Sequence, residues 1–76
     1  MTDTMEHLDV RGMLCPLPVL KARKRLLLMA TGSVLRVEAT DPVSVKDFPQ
    51  FCEENGYELI SHGQGDGCFI FDIRKS

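Results

Sequence analysis

The sequence has no apolar run long enough to cross a bilayer. Its longest such stretch, Leu26–Ala30, is five residues long, whereas a membrane-spanning helix needs about 20. The first seven residues, Met-Thr-Asp-Thr-Met-Glu-His, are polar and acidic and do not suit a secretory signal. We therefore expect a cytoplasmic protein that does not associate with a membrane.

The sequence is also poor in the residues that disulfide frameworks and metal sites require. It has three cysteines without regular spacing and no C-x-x-C pair. The two histidines, His7 and His62, are far apart, so a zinc site would have to be assembled from scattered ligands. We expect no disulfide framework, no metal site and no bound cofactor.

Acidic residues are missing from most of the first half of the chain. Between Val10 and Val37 there are six basic residues and no acid, whereas from Glu38 onward eight acids accompany three bases. The formal net charge is −2. An acidic protein with one local basic face is not typical of a general nucleic-acid binder, and we expect no direct nucleic-acid binding.

The residues that are present suit one small domain. The chain has 76 residues, of which 43% are hydrophobic and 26% charged, as in soluble globular proteins. So short a chain has little room for a deep, closed active site. Any chemistry is expected near the surface.

The hydrophobic pattern predicts the element order β-α-β-α-β-β. The predicted strands and helices are a strand around Leu8–Val10, a helix from Pro16 to about Ala30, a strand at Val34–Thr40, a helix at about Val43–Asn55, and strands at Tyr57–His62 and Cys68–Lys75. This order predicts an α+β fold, a two-layer α/β sandwich with two helices on one face of a four-stranded mixed sheet. The first two strands should be parallel and joined by a right-handed crossover. The last two should form an antiparallel hairpin that turns at Gly63–Gly67.

Both helices have predicted starts and buried faces. Cys15 is expected at the N-cap of the first helix, with Pro16 and Pro18 in its first turn. Its buried face should contain Val19, Ala22, Leu26, Met29 and Ala30, widened by Leu20 and Leu27. Lys21, Lys24 and Arg25 should point away, with Leu17 and Leu28 on the same side. Asp41 and Pro42 should start the second helix, which should bury Val45, Phe48, Phe51 and Cys52 and be kinked or interrupted at Pro49.

Cys15 is the candidate reactive residue. A helix N-terminus carries partial positive charge, and Arg11 lies four residues earlier, so both should favour the thiolate. We therefore predict that the pKa of Cys15 lies below the ordinary thiol value of about 8.5. The alternative is a small hydrophobic residue that happens to cap a helix. Cys52 is expected in the core, and Cys68 on a strand without basic neighbours.

The segment Leu8-Asp9…Gly12…Leu14-Cys15-Pro16-Leu17-Pro18-Val19 resembles the signature of the TusA/SirA-like family of small sulfur carriers, whose core is C-P-x-P. The likeness extends over essentially the whole chain, through Thr40-Asp41-Pro42, the segment 47–52 and the segment 69–75. It implies one TusA-like sulfur-carrier domain over residues 1–76, with the same βαβαββ fold. It also implies that Cys15 accepts a sulfane sulfur as a persulfide from a cysteine desulfurase or rhodanese-like donor and relays it to an acceptor protein.

The resemblance also implies roles for the neighbours of Cys15. Gly12, Pro16 and Pro18 would shape its loop, while contacts with partners would be made by Arg11, Leu17, Lys21, Lys24 and Arg25. The family serves tRNA thiolation, molybdenum-cofactor assembly and sulfur oxidation. Its tRNA-thiolation branch commonly has glutamate where this chain has Leu17, so the C-P-x-P motif does not fix the pathway here.

Two other functions fit parts of the pattern. A non-enzymatic regulatory or interaction module would use the C-P-x-P turn only as a docking surface. A thiol-disulfide oxidoreductase would need Cys68 within disulfide reach of Cys15, because no resolving cysteine follows Cys15 in sequence. The chain would count as an enzyme only if it is a sulfurtransferase-type persulfide carrier, and these alternatives leave that question open.

Overall fold

The computed structural model of the chain describes residues 5–76. The predicted element order is confirmed, with the bounds β1 Met5–Val10, α1 Leu17–Leu27, β2 Val34–Ala39, α2 Ser44–Asn55, β3 Glu58–Gly65 and β4 Cys68–Arg74. Residues 1–4, which belong to the polar start of the sequence and to the expected domain, lie outside the described residues. No helix in 5–76 is long and apolar enough to cross a membrane.

The four strands form one mixed sheet in the order β1-β2-β4-β3. The parallel pairing of β1 with β2 is confirmed, as is the antiparallel hairpin of β3 with β4. The hairpin turns at Asp66 and Gly67, which both have positive φ (49° and 79°), as a two-residue type I′ turn requires. The turn is therefore tighter than predicted, and β3 runs on through Gly63 to Gly65.

The two helices pack on one face of the sheet. The core between the layers contains Val10, Ala22, Leu26, Leu35, Val37, Phe48, Phe71 and Ile73, all at most 1% exposed. Phe48 of α2 stacks on Phe71 of β4, with ring centroids 4.7 Å apart. The buried strand residues alternate along β2, so the other face carries polar pairs such as Arg36 with Asp72, at 2.8 Å. The predicted two-layer sandwich is confirmed.

Helix α1 is shorter and less buried than predicted. It begins at Leu17, so Pro16 occupies the N-cap and Cys15 lies before it. The predicted N-cap at Cys15 is wrong, because the Cys15–Pro16 segment forms a turn instead. Leu20 and Leu27 are exposed (51% and 59%) rather than buried, since the helix presents only a narrow face to the sheet. As predicted, Leu17 and Leu28 are exposed.

Helix α2 also begins later than predicted. Val43, not Asp41, is its N-cap, and the Asp41 carboxylate makes other contacts. Phe48, Phe51 and Cys52 are buried as predicted, but Val45 is 47% exposed because Ser44 occupies the buried position in the first turn. The helix runs from Ser44 to Asn55 without interruption, with Pro49 inside it.

Leucines on α1 provide a matched test of this packing. Leu26→Ala should lower the free energy of unfolding by about 2–5 kcal/mol, because Leu26 is fully buried and its truncation leaves a cavity. Leu28→Ala, at an 81% exposed position on the same helix, should change it by less than about 0.5 kcal/mol. Urea denaturation monitored by circular dichroism measures the free energy of unfolding of both variants. Equal losses in the two variants would contradict the assignment of the buried face of α1.

Candidate functional site

The loop between β1 and α1 lies at the edge of the sheet where β1 and β2 end. Gly12, with φ of 83°, donates its backbone N–H to Thr40 Oγ1 at 2.9 Å. A Cβ at Gly12 would meet no atom within 4 Å, so the backbone conformation, not space, favours glycine there. Pro18 is fully buried and fixes the far end of the loop to the core, whereas Pro16 is exposed.

The carboxylate of Asp41 holds the loop beside α2. Its Oδ2 accepts a hydrogen bond from the Cys15 N–H at 2.7 Å, and its Oδ1 accepts one from the Val43 N–H at 3.2 Å. Asp41 is itself only 6% exposed. One buried carboxylate therefore joins the start of α1 to the start of α2.

The Cys15 thiol is exposed and contacts an acid from α2. Its Sγ donates a hydrogen bond to Asp47 Oδ2 at 3.1 Å. The hydrogen bond to Asp47 raises the pKa of Cys15 above its ordinary value, and loss of hydration and the charges of Asp47 and Asp41 add to the effect. The prediction of a lowered pKa is therefore wrong. It counted only the neighbours of Cys15 in sequence, where no acid occurs, whereas Asp47 comes from α2 and Asp41 from the loop between β2 and α2.

Arg11 is occupied elsewhere. Its guanidinium makes two hydrogen bonds to the Asp9 carboxylate, at 2.9 and 3.0 Å, on the sheet face opposite the helices. The same pairing lowers the pKa of Asp9 to about 2. The pKa of the Cys15 thiol is raised by the hydrogen bond to Asp47, by loss of hydration and by the charges of Asp47 and Asp41, with no opposing effect from Arg11.

The other two cysteines are buried. Cys52 is 2% exposed, and burial raises its pKa to about 11. Cys68 is 8% exposed and donates its thiol hydrogen to the Gly65 carbonyl at 3.2 Å. All three cysteines are free.

The predicted partner residues other than Arg11 lie on α1, at its start and along its outer face. Leu17 is 49% exposed and Leu14 is 70% exposed, so an exposed leucine precedes Cys15 in the sequence and another follows it. Lys21, Lys24 and Arg25 lie along the outer face of α1, where Arg25 also forms an ion pair with Glu6 at 2.9 Å. They line a shallow groove together with Leu8, Leu20 and Leu28. Sequence reasoning missed Leu14, Asp41 and Asp47.

No group of three or more His, Cys, Asp or Glu side chains within residues 5–76 is arranged to hold a metal ion. The polar atoms at Cys15 are instead the thiol, a backbone amide and two carboxylates. This arrangement can hold a proton on sulfur and release it when the carboxylates are neutralised.

The fold and the site define a small two-layer α+β protein with one exposed thiol on a proline-flanked loop. Residues 6–75 match the family model described as Sulfurtransferase TusA. The chain belongs to the TusA family.

Curated relatives and a solved structure agree with this assignment. The chain is 49% identical to the sulfur carrier protein TusA of Allochromatium vinosum over 76 residues, which cover 100% of both chains. It is 40% identical to the sulfur carrier protein TusA of Pseudomonas entomophila, covering 99% of this chain and 96% of that one. The crystal structure of a SirA-like protein from Desulfitobacterium hafniense superimposes with a TM-score of 0.81 at 25% identity, covering 93% of this chain and 96% of that one.

Differential labelling tests the accessibility of the three thiols. Iodoacetamide at neutral pH should alkylate Cys15 first, because Cys52 and Cys68 are buried and Cys52 ionises only near pH 11. The labelling rate of Cys15 should keep rising as the pH is raised through 8, since its pKa is raised. Peptide mass spectrometry measures each site, and equal labelling of Cys52 in the folded protein would contradict the assignment.

Proposed function

We propose that this chain is a sulfur carrier in which Cys15 accepts a sulfane sulfur from a donor protein as a persulfide and relays it to an acceptor protein. The observation that carries the proposal is the exposure of one thiol on the C-P-x-P loop, while Cys52 and Cys68 are buried. Relatives that match the whole chain are named sulfur carriers. An exposed, surface-loop thiol can be reached by a second protein without opening of the fold.

The transfer is a displacement at sulfur. The Cys15 thiolate attacks the outer sulfur of the donor's persulfide, a new S–S bond forms on Cys15, and the donor's own S–S bond breaks. The donor cysteine leaves as a thiolate and takes up the proton that Cys15 released. Sulfur moves with no net oxidation. When an acceptor thiolate attacks the outer sulfur of the Cys15 persulfide in the same way, the sulfur passes to the acceptor and Cys15 leaves as a thiolate.

A persulfide suits this site better than a disulfide. Among the free cysteines, Cys52 lies in the buried stripe of α2 and the Cys68 thiol is bonded to Gly65. Neither thiol is exposed at the surface, where it could attack the Cys15 sulfur, form an intramolecular disulfide and release the carried sulfur. We therefore assign Cys15 as the transfer residue and propose that Gly12, Pro16 and Pro18 shape its loop.

The donor is proposed to be a cysteine desulfurase or a rhodanese-like protein, and the acceptor a protein of tRNA thiolation or of another sulfur-trafficking route. The cytoplasm suits such a relay, because free thiols persist in reducing compartments. The residues proposed to contact partners are Arg11, Leu17, Lys21, Lys24 and Arg25. No direct nucleic-acid contact is required, since sulfur passes between proteins.

Intact-mass spectrometry tests the carrier role. Incubation with a cysteine desulfurase and L-cysteine should add one sulfur, about 32 Da, to the wild-type chain. Cys15→Ser should remove the adduct, whereas Cys52→Ser and Cys68→Ser should keep it because those thiols are buried. An adduct that persists in Cys15→Ser would contradict the assignment.

The exposed groove on α1 supports the second function, a docking module that needs no thiol chemistry. Leu20 and Leu28 are more than half exposed in a groove that the cations Lys21 and Lys24 also line, a combination typical of protein contacts. Under the carrier proposal the groove serves to dock partners, and Cys15 does the chemistry.

Charge reversal and thiol removal separate the two functions. The double variant Lys21→Glu/Lys24→Glu should weaken capture by the donor about tenfold at low salt, and less at high salt, because rim charges act through screened attraction. Cys15→Ser should leave capture intact, and in a strain whose growth is impaired by deletion of this chain it should reproduce the deletion defect. Full growth of the Cys15→Ser strain under the same conditions would favour the docking module and contradict the carrier.

A further inference from the structure

The hydrogen bond between Cys15 and Asp47 places an unusual constraint on a thiol that must become a nucleophile. Cys15 Sγ lies 3.1 Å from Asp47 Oδ2, and a carboxylate at that distance can accept only from the protonated thiol. Ionised sulfur and ionised oxygen at this distance would repel each other. The free protein therefore holds Cys15 in its unreactive form.

The Asp47 carboxylate has no cationic partner among residues 5–76. The ion pairs in this part of the chain involve Asp9, Glu6, Glu38, Asp72 and Glu58. Asp41, the second acid near the thiol, is occupied by two backbone N–H groups. The negative charge of Asp47 is thus available to a group from another molecule.

A groove between α1 and α2 leads to this carboxylate. Its apolar lining is made of Pro16, Val19 and Phe51, and its polar lining of Asp47, Gln50 and Glu54. Gln50 donates a hydrogen bond to Glu54 at 3.1 Å, which leaves Glu54 oxygens at the same surface. An apolar floor with two carboxylates fits a side chain with an aliphatic stem and a cationic head.

We propose that Asp47 is a gate on Cys15: it holds the thiol proton in the free protein, and a lysine or arginine of the sulfur donor pairs with it in this groove and thereby frees the thiol. Asp47 is a positioning residue, because it acts on sulfur transfer through Cys15. Pairing with a cation removes the thiol's acceptor and cancels the nearest negative charge, so the proton can leave. This inference rests on the proposed function and adds the chemistry of the donor surface.

The gate gives the site a specificity that an activated thiol would lack. A thiolate exposed at all times would react with any oxidant or electrophile in solution. A thiol released only by a cation at Asp47 reacts when the donor is docked. The proton from Cys15 ends on the donor's departing thiolate, so no additional reactant is needed.

Asp47→Asn tests the gate because it should act in opposite directions on two reactions. Alkylation of Cys15 by iodoacetamide at pH 7 should become at least about threefold faster, since the thiol loses a carboxylate that favours its proton. The KM for sulfur transfer from a cysteine desulfurase supplied with L-cysteine should rise about five- to tenfold, since the donor loses its ionic contact. Circular dichroism verifies the fold, and Asp47→Ser serves as a second variant if Asp47→Asn is perturbed.

Two acids on α2 provide controls. Glu54→Gln should raise the KM for the desulfurase but leave the alkylation rate unchanged, because Glu54 lines the groove and does not contact the thiol. Glu53→Gln, at an exposed position that does not line the groove, should change neither quantity. Together the controls separate the groove's charge from the net charge of the helix.

Three results would overturn the gate. If alkylation and sulfur transfer both slow in Asp47→Asn, Asp47 is a base that activates Cys15. If alkylation accelerates while the KM is unchanged, no donor cation binds Asp47. If alkylation is unchanged, Asp47 does not restrain the thiol. Failure of the proposed function is distinguishable, because the wild-type chain would then gain no sulfur from the desulfurase or from glutathione persulfide, whatever its alkylation rate.

Discussion

The parallel pairing of β1 with β2 is the constraint on which the site depends. Each strand leads into a helix, so their pairing brings the starts of α1 and α2 to one edge of the sheet. Two hydrogen bonds then join the loops, from Gly12 to Thr40 and from Cys15 to Asp41. The site thus consists of two short segments that are 26 residues apart in sequence. A change that shifts the β1–β2 register would separate the thiol from its carboxylates.

The charges around Cys15 are set by the meeting of the two helix starts at this edge of the sheet. A helix start alone favours a thiolate, but here the partial charge of the α1 start is opposed by Asp47 and Asp41. The carboxylate of Asp47 is a full charge in contact with sulfur, and it outweighs a partial charge that acts through a loop. The result is an exposed thiol that keeps its proton. Exposure and ionisation, which often go together in reactive cysteines, are separated in this protein.

Local sequence predicted the elements well, because alternation in β2 and β4 and the proline and glycine positions are local signals. It also singled out Cys15 and the resemblance that leads to the TusA family. It failed where the outcome depends on packing. The exposure of Leu20 and Leu27 depends on how much of α1 the sheet can cover, and the pKa of Cys15 depends on Asp47, 32 residues away. The predicted parallel pairing of β1 with β2 is the signal that could have placed these acids beside the thiol, because it brings the segments that follow the two strands together.

Titration of Cys15 shows whether Asp47 holds this exposed thiol in its protonated form. The ¹³Cβ chemical shift of Cys15 can be followed by NMR against pH in the folded chain and in a peptide of residues 13–19. We expect a higher midpoint in the folded chain than in the peptide, because only the folded chain brings the carboxylates to the sulfur. A midpoint equal to or below that of the peptide would contradict it.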